Sequence, residues 1–234
     1  MKFLSKLGIT SLMLASSSLM AAEPAMGWYA GFMLGPSIAS SNDITIQNPP
    51  FFLGFSPIVA DISYSVLGNF GAQLGYRCNK FRYEGELLFN RNNLKDITVN
   101  GVTLNNNSGV DVNGNTTTGA AFFNAYYEFY DEDNPDTAFV PYFGLGIGYA
   151  HVKNSITFTT PGLLNTGIKF TNSASGNAAI GQAILGFSYF FNDNVSLGSD
   201  LRYMKSQTIN DFNSSISVGS WNFLMNFSFD QPAY

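Results

Sequence analysis

Seven charged residues stand in runs that are otherwise aromatic, aliphatic or small: Arg77, Arg82, Glu84, Glu86, Glu128, Asp200 and Arg202. Arg82, Glu84 and Glu86 are spaced by two, as are Asp200 and Arg202. That spacing puts each set on one face of a β-strand, where side chains alternate with period two. Charges in an enclosed interior must be paired and hydrogen-bonded. The mixed signs suit an ion-paired network in which Arg82 and Arg202 hold Glu84, Glu86, Glu128 or Asp200. The competing reading is that these groups are catalytic or line an ion path.

Other reactive groups are sparse. His151 is the only histidine, and a Ser-His-Asp hydrolase would need it beside a nucleophile and an acid. No Cys/His cluster suggests zinc. The acidic run 131–136 lacks the twelve-residue grammar of a calcium loop and reads as a solvated turn. Gly144, Gly146 and Gly148 recur every second residue inside a strand pattern, unlike the GxGxxG turn that opens a helix. They read as small residues giving room to bulkier ones across an interior. Cys78 is alone, so no intrachain disulfide forms. No catalytic, cofactor or metal residue is expected.

The elements that would position the charged set alternate. In 221–229, Trp221, Phe223, Met225, Phe227 and Phe229 fall on one face; the other is small or polar apart from Leu224. Similar alternation runs through 28–37, 62–77, 80–91, 119–130, 138–153, 177–191 and 195–207, and the final segment begins near 216. The seven charged residues oppose the aromatic face in every case. In a soluble sheet that face is core; in a membrane barrel it meets lipid and the polar face lines the lumen. The connections alternate too. Those at 40–61, 92–118 and 154–176 are long, while those near Asn79, at 131–136 and at 192–194 are short. Sorting of this kind suits an outer-membrane barrel, with short periplasmic turns and long external loops.

Composition agrees. Charged residues are 12% and aromatics 15% of the 234. Residues 1–22 read as a cleaved signal peptide, with Lys2 and Lys6 before an apolar run and Ala21-Ala22 at its end. Removing them takes two lysines and no acid, which moves the net charge from −5 to −7. That balance argues against a nucleic-acid partner. Residues 23–234 then form one barrel domain. One external segment is apolar, with Phe51, Phe52, Leu53 and Phe55; it is either a contact patch or a segment resting on the barrel mouth or outer leaflet.

Gly27-Trp28-Tyr29-Ala30-Gly31-Phe32, Tyr83-Glu84-Gly85-Glu86-Leu87, the run from Pro141 to Tyr149 and the aromatic last strand resemble the small outer-membrane barrel superfamily. That group includes the OmpA membrane domain, the opacity-type proteins and the rickettsial-type surface antigens. The resemblance implies an all-β fold, an eight-stranded antiparallel transmembrane β-barrel in the outer membrane. It implies a structural or surface adhesion and antigen role carried by the external loops. It also implies outer-membrane lipid and lipopolysaccharide as surroundings, assembly by the barrel assembly machinery, a monomer, and a host or surface ligand met by the loops. Three alternatives stand beside it: a small porin-like channel, a lipid-modifying enzyme and a soluble periplasmic β-protein. Barrel lipid A deacylases use a His-x-Ser pair; here Lys153 stands two residues after His151.

Overall fold

The structure is a computed structural model that describes residues 24, 26–40, 42–46, 58–99, 102–104, 111–130, 138–160, 168–209 and 214–229. The chain runs up and down through β1 (Gly27–Ala39), β2 (Asn42–Ile46), β3 (Ile58–Cys78), β4 (Phe81–Val99), β5 (Val102–Leu104), β6 (Asp111–Glu128), β7 (Phe139–Thr160), β8 (Ile168–Asn192), β9 (Val195–Ser206) and β10 (Ser217–Ser228). Eight strands close an antiparallel ring in the order β1, β3, β4, β6, β7, β8, β9, β10 and back to β1. β2 and β5 pair with the outer ends of β3 and β4.

A circuit of paired residues leaves β10 at Ser228 and passes through Tyr29, Gly75, Glu84, Asn124, Gly146, Gln182 and Met204. It re-enters β10 at Val218. That stagger is what a barrel of tilted strands requires. Closure pairs the backbone groups between strands, as a bilayer demands of any chain that crosses it. At one end the connections are tight. Asn79 takes a left-handed φ of 49° between β3 and β4, a conformation asparagine tolerates better than most residues. Between β8 and β9, the Asn192 side-chain oxygen accepts from the backbone N–H groups of Asn194 and Val195 at 2.9 and 2.8 Å.

The two faces of the ring are chemically opposite. Leu87, Leu145, Ile147, Leu185 and Leu201 point outward and are more than half exposed, while Arg82, Glu128 and Asn222 point inward and are fully buried. Apolar side chains toward solvent and charges in the interior make sense only where the solvent is lipid. Outward rings pair at the tight-turn end, as in Trp28 with Tyr76, Phe81 with Tyr127 and Tyr189 with Phe191.

Toward the other end the code inverts. On β7 the outward series Phe143, Leu145, Ile147, Tyr149 gives way to His151, Lys153, Ser155, Thr157 and Thr159. The inward series turns to Ala150, Val152, Ile156 and Phe158, all buried and interrupted only by Asn154, which accepts from Thr116. Ala150, Val152, Ala178, Ile180, Met204, Ile216, Val218 and Leu224 join Met33, Leu88 and Phe122 in one apolar cluster inside the barrel. Polar outside and apolar inside is the rule for a sheet in water. The apolar outer band therefore ends between Tyr149 and His151 on this strand.

Three expectations are revised. The spans 40–61, 92–118 and 154–176 are not simply loops. β4 continues to Val99, β6 begins at Asp111, β7 reaches Thr160 and β8 begins at Ile168, and β2 lies inside the first span. Their period-two pattern is present, but with its polarity reversed. Tyr64, grouped by alternation with outward Phe70, instead packs against the inner cluster and meets Thr116. Register shifts between Ser63 and Tyr64 and between Ser65 and Gly68 separate these residues, and a bulge changes which face a side chain takes. The lumen, expected to be polar, carries an apolar cluster in its outer half, with Asn90, Asn92, Thr116 and Asn154 buried beside it.

Candidate functional site

All seven charged residues meet in the lumen near the tight-turn end, each almost wholly buried. β3 and β4 supply Arg77 and Arg82 on either side of their turn, and β4 adds Glu84 and Glu86 on the same face. β6 contributes Glu128, and β9 contributes Asp200 and Arg202. The Arg77 guanidinium grips Glu128 with a fork, donating Nε to Oε2 at 2.7 Å and Nη2 to Oε1 at 3.3 Å. Two parallel bonds fix both distance and plane. Arg82 also reaches Glu128, Nε to Oε1 at 3.1 Å, and lies 3.6 Å from Glu84.

Arg82 is held as much by rings as by carboxylates. None of its nitrogens is aligned for a side-chain hydrogen bond. Its guanidinium carbon lies 3.9 Å from the Tyr126 ring centre, 4.6 Å from Tyr142 and 5.9 Å from Tyr29. A desolvated cation over aromatic faces gains on the order of 2 kcal/mol. Gly144 on β7 makes the cage possible, since a Cβ there would come within 2.4 Å of the Tyr126 ring.

Four carboxylates face three guanidinium groups in this cluster. Neutral donors serve the surplus. Glu84 accepts from the Tyr29 hydroxyl at 2.6 Å, the Tyr126 hydroxyl at 2.9 Å and the Asn124 amide at 3.3 Å. The second half of the cluster centres on Arg202, which bonds Asp200 at 2.9 to 3.1 Å and also pairs with Glu86. Asp200 accepts from Asn222 at 2.7 Å and Tyr142 at 3.3 Å. Asn124 donates to Glu86 at 2.9 Å and so joins the halves. Amides complete the layer, with Asn69 donating to Asn222 and Gln73 to Asn226, both at 2.8 Å.

Sequence reasoning missed Tyr29, Tyr126 and Tyr142. They were left out of the network although strand parity points them inward, and a phenol can donate where phenylalanine cannot. The remaining candidates fall elsewhere. His151 points outward, far from the ionic layer along β7, and its Nδ1 lies 2.8 Å from the Asn177 side-chain oxygen. Cys78 is exposed. Phe51, Phe52, Leu53 and Phe55, and the acidic run 131–136, lie outside the described residues. Among the described residues no group of three His, Cys, Asp or Glu side chains is placed to hold a metal.

A closed ring with a lipid-facing apolar band, an ion-paired lumen and a water-type code beyond the band is the architecture of a bacterial outer-membrane β-barrel. The chain belongs to the outer membrane protein beta-barrel domain family, whose model matches residues 7–229. Outer membrane protein PagN of Salmonella typhimurium is 36% identical over 83 residues, which are 36% of this chain and 32% of that protein. The chain thus spans about a third of the curated relative it matches. Among solved structures, Neisserial surface protein A is similar at 17% identity and a TM-score of 0.50, over 88% of this chain and 100% of that one. The place of this protein is the outer membrane.

Proposed function

We propose that this chain is a surface-exposed adhesion or antigen barrel, in which a sealed membrane section carries β-hairpins into the medium as recognition elements. The observation that supports it most is the filling of the lumen. The charged and amide layer near the tight turns and the apolar cluster above it occupy the interior in series, and both consist of buried side chains. An eight-stranded interior is only wide enough to be filled in this way. On this reading Arg77, Arg82, Glu84, Glu86, Glu128, Asp200 and Arg202 are a structural plug. The protein is not an enzyme. His151 faces outward with an asparagine partner, and the charged groups of the ionic layer are almost wholly buried.

Residues 1–22 are removed on export, the aromatic end of the last strand is read by the assembly machinery, and the barrel works as a monomer. Phe51, Phe52, Leu53 and Phe55 belong to the same recognition surface. The test compares adherence to host-type surfaces of cells with and without the protein, beside planar-bilayer recordings of the purified barrel. The reading expects adherence to fall and no steady single-channel steps. Steady steps, with adherence unchanged, would replace it with the channel.

A further inference from the structure

β8 outruns its neighbour. On one side it pairs with β7 without a break from Thr160 opposite Ile168 down to Phe139 opposite Tyr189. On the other side its pairing with β9 begins only at Ile180, opposite Ser206. The last bond across that seam is donated by the Gln207 N–H to the Ala179 carbonyl, at 2.8 Å. Among the described residues, the stretch 168–178 therefore has a strand on one side only. It is the longest such edge in the sheet, beside the short β2 and β5.

Strand geometry states what the edge offers. Along an antiparallel strand, alternate residues turn both N–H and C=O to the same neighbour. Ala179 bonds on the β9 side, and the register shows no shift from there outward. Lys169, Thr171, Ser173, Ser175 and Asn177 therefore present their backbone donors and acceptors at the open side. The side chains of all five are exposed. The edge is also stiff. Thr157 and Thr171 meet hydroxyl to hydroxyl at 3.1 Å, His151 holds Asn177, and Val152, Ile156 and Phe158 are buried on the inward side.

Edges of this kind are normally blunted by proline, bulges or charges along their length. This one has no proline, no register shift and a single charge, Lys169. We propose that the β8 edge at 168–178 is a docking site for an extended peptide that adds to the sheet as a further strand and carries acidic side chains on alternate residues. The proposal rests on the adhesion reading and names its partner class. Strand addition takes its affinity from main-chain bonds and its selectivity from alternate side chains. Here the outward side chains of β7 and β8 in the extension include Lys153, Lys169 and His151 and no acid. A second copy in the same membrane does not fit. Its β8 runs toward the periplasm as well, and with strands tilted by roughly 40° the two edges would meet in parallel and cross at about 80°.

Proline at Ser173 separates the proposal from simple charge attraction. It removes one open-side N–H and leaves the β7 ladder intact, a placement edge strands tolerate. The probe is a short fluorescein-labelled peptide alternating glutamate and threonine, titrated against the full-length barrel in nanodiscs. The expected result is saturable binding, weakened about tenfold by Ser173→Pro, as the loss of one or two main-chain bonds implies. The same peptide N-methylated at alternate residues keeps its charge and loses its edge-facing donors, so it should bind wild type at least as poorly as the unmethylated peptide binds the proline variant. That arm stands even if the proline variant does not fold. No binding, or binding indifferent to both proline and N-methylation, overturns the proposal. Adherence lost on deletion of the protein but kept by Ser173→Pro also overturns it and leaves the adhesion reading standing. Adherence indifferent to deletion removes the adhesion reading, and the peptide titration then decides strand addition on its own.

Discussion

Glu128 is the residue on which the ionic layer leans most. Its carboxylate takes the fork of Arg77 at 2.7 and 3.3 Å and the Nε of Arg82 at 3.1 Å, with no exposure to solvent. Glu128→Ala removes the carboxylate that takes the Arg77 fork and leaves Arg82 with Glu84 at 3.6 Å and its aromatic cage. Breaking a buried pair by deleting one partner costs about 3–5 kcal/mol, because the other charge stays buried. With a urea dependence of roughly 1–3 kcal/mol/M, the unfolding midpoint should fall by 1 M or more. The assay is reversible urea unfolding in lipid vesicles. Trp28 and Trp221 are the only tryptophans, and both are half exposed on the lipid face, so their emission reports insertion directly. A matched double variant, Arg77→Met with Glu128→Met, should recover part of the loss, since an apolar pair of similar volume often replaces a buried ion pair at little cost. A Glu128→Ala barrel destabilised by less than about 1 kcal/mol, the scale of a solvated surface pair, would refute the claim that this layer is a dry plug.

Leu145→Arg places a guanidinium on the lipid side midway along the apolar band of β7 and should cost about 2–4 kcal/mol in the same vesicle titration. Phe158→Asp breaks the apolar interior beyond the band instead. Heat-shifted gel mobility should stay native, while hydrogen exchange should accelerate in 150–160 and 168–178 and not in the ring below. Gly35→Ala should impair assembly, because a Cβ there would lie 1.9 Å from the Trp221 carbonyl oxygen, a backbone atom that cannot step aside. Gly119→Ala, with nothing within 4 Å of its Cβ position, should fold as wild type in the same gel assay.

The ring was legible from the chain because lipid enforces a clean code. Trp221, Phe223 and Phe227 outward with Asn222 and Asn226 inward leave one assignment of faces. The charged set was legible for the same reason, since Arg82, Glu84 and Glu86 fit only an inward face. What escaped was the structure that follows a different code. Thr157 and Thr159 outward with Ile156 and Phe158 inward is a strand in water, and a rule tuned to apolar outer faces reads it as a polar loop. The phenols escaped because the network was read from its charges alone, although strand parity already pointed these rings inward. For Tyr29, Tyr126 and Tyr142 parity held, because each hydroxyl finds a carboxylate inside the barrel. Tyr64 reversed the lesson. There the register shifts beside it, invisible in composition, moved the ring indoors.

The inversion of the code also bears on how such a barrel recognises anything. A loop that rises from a barrel rim as irregular chain loses conformational entropy when it is ordered by a partner. The β7–β8 hairpin avoids much of that loss. Its inner face buries Val152, Ile156 and Phe158, and its outer face is laced by Thr157 to Thr171 and His151 to Asn177. Its backbone is fixed before any partner arrives, and β9 stops at Ser206, well short of the height the hairpin reaches. The packed interior below has a matching consequence. With the ionic layer and the apolar cluster both packed, the hairpin stands on a rigid base, so a change of residue along its edge alters contacts rather than the frame that presents them. On the proposed adhesion reading, recognition would therefore be carried by the extended strands as much as by the segments that join them.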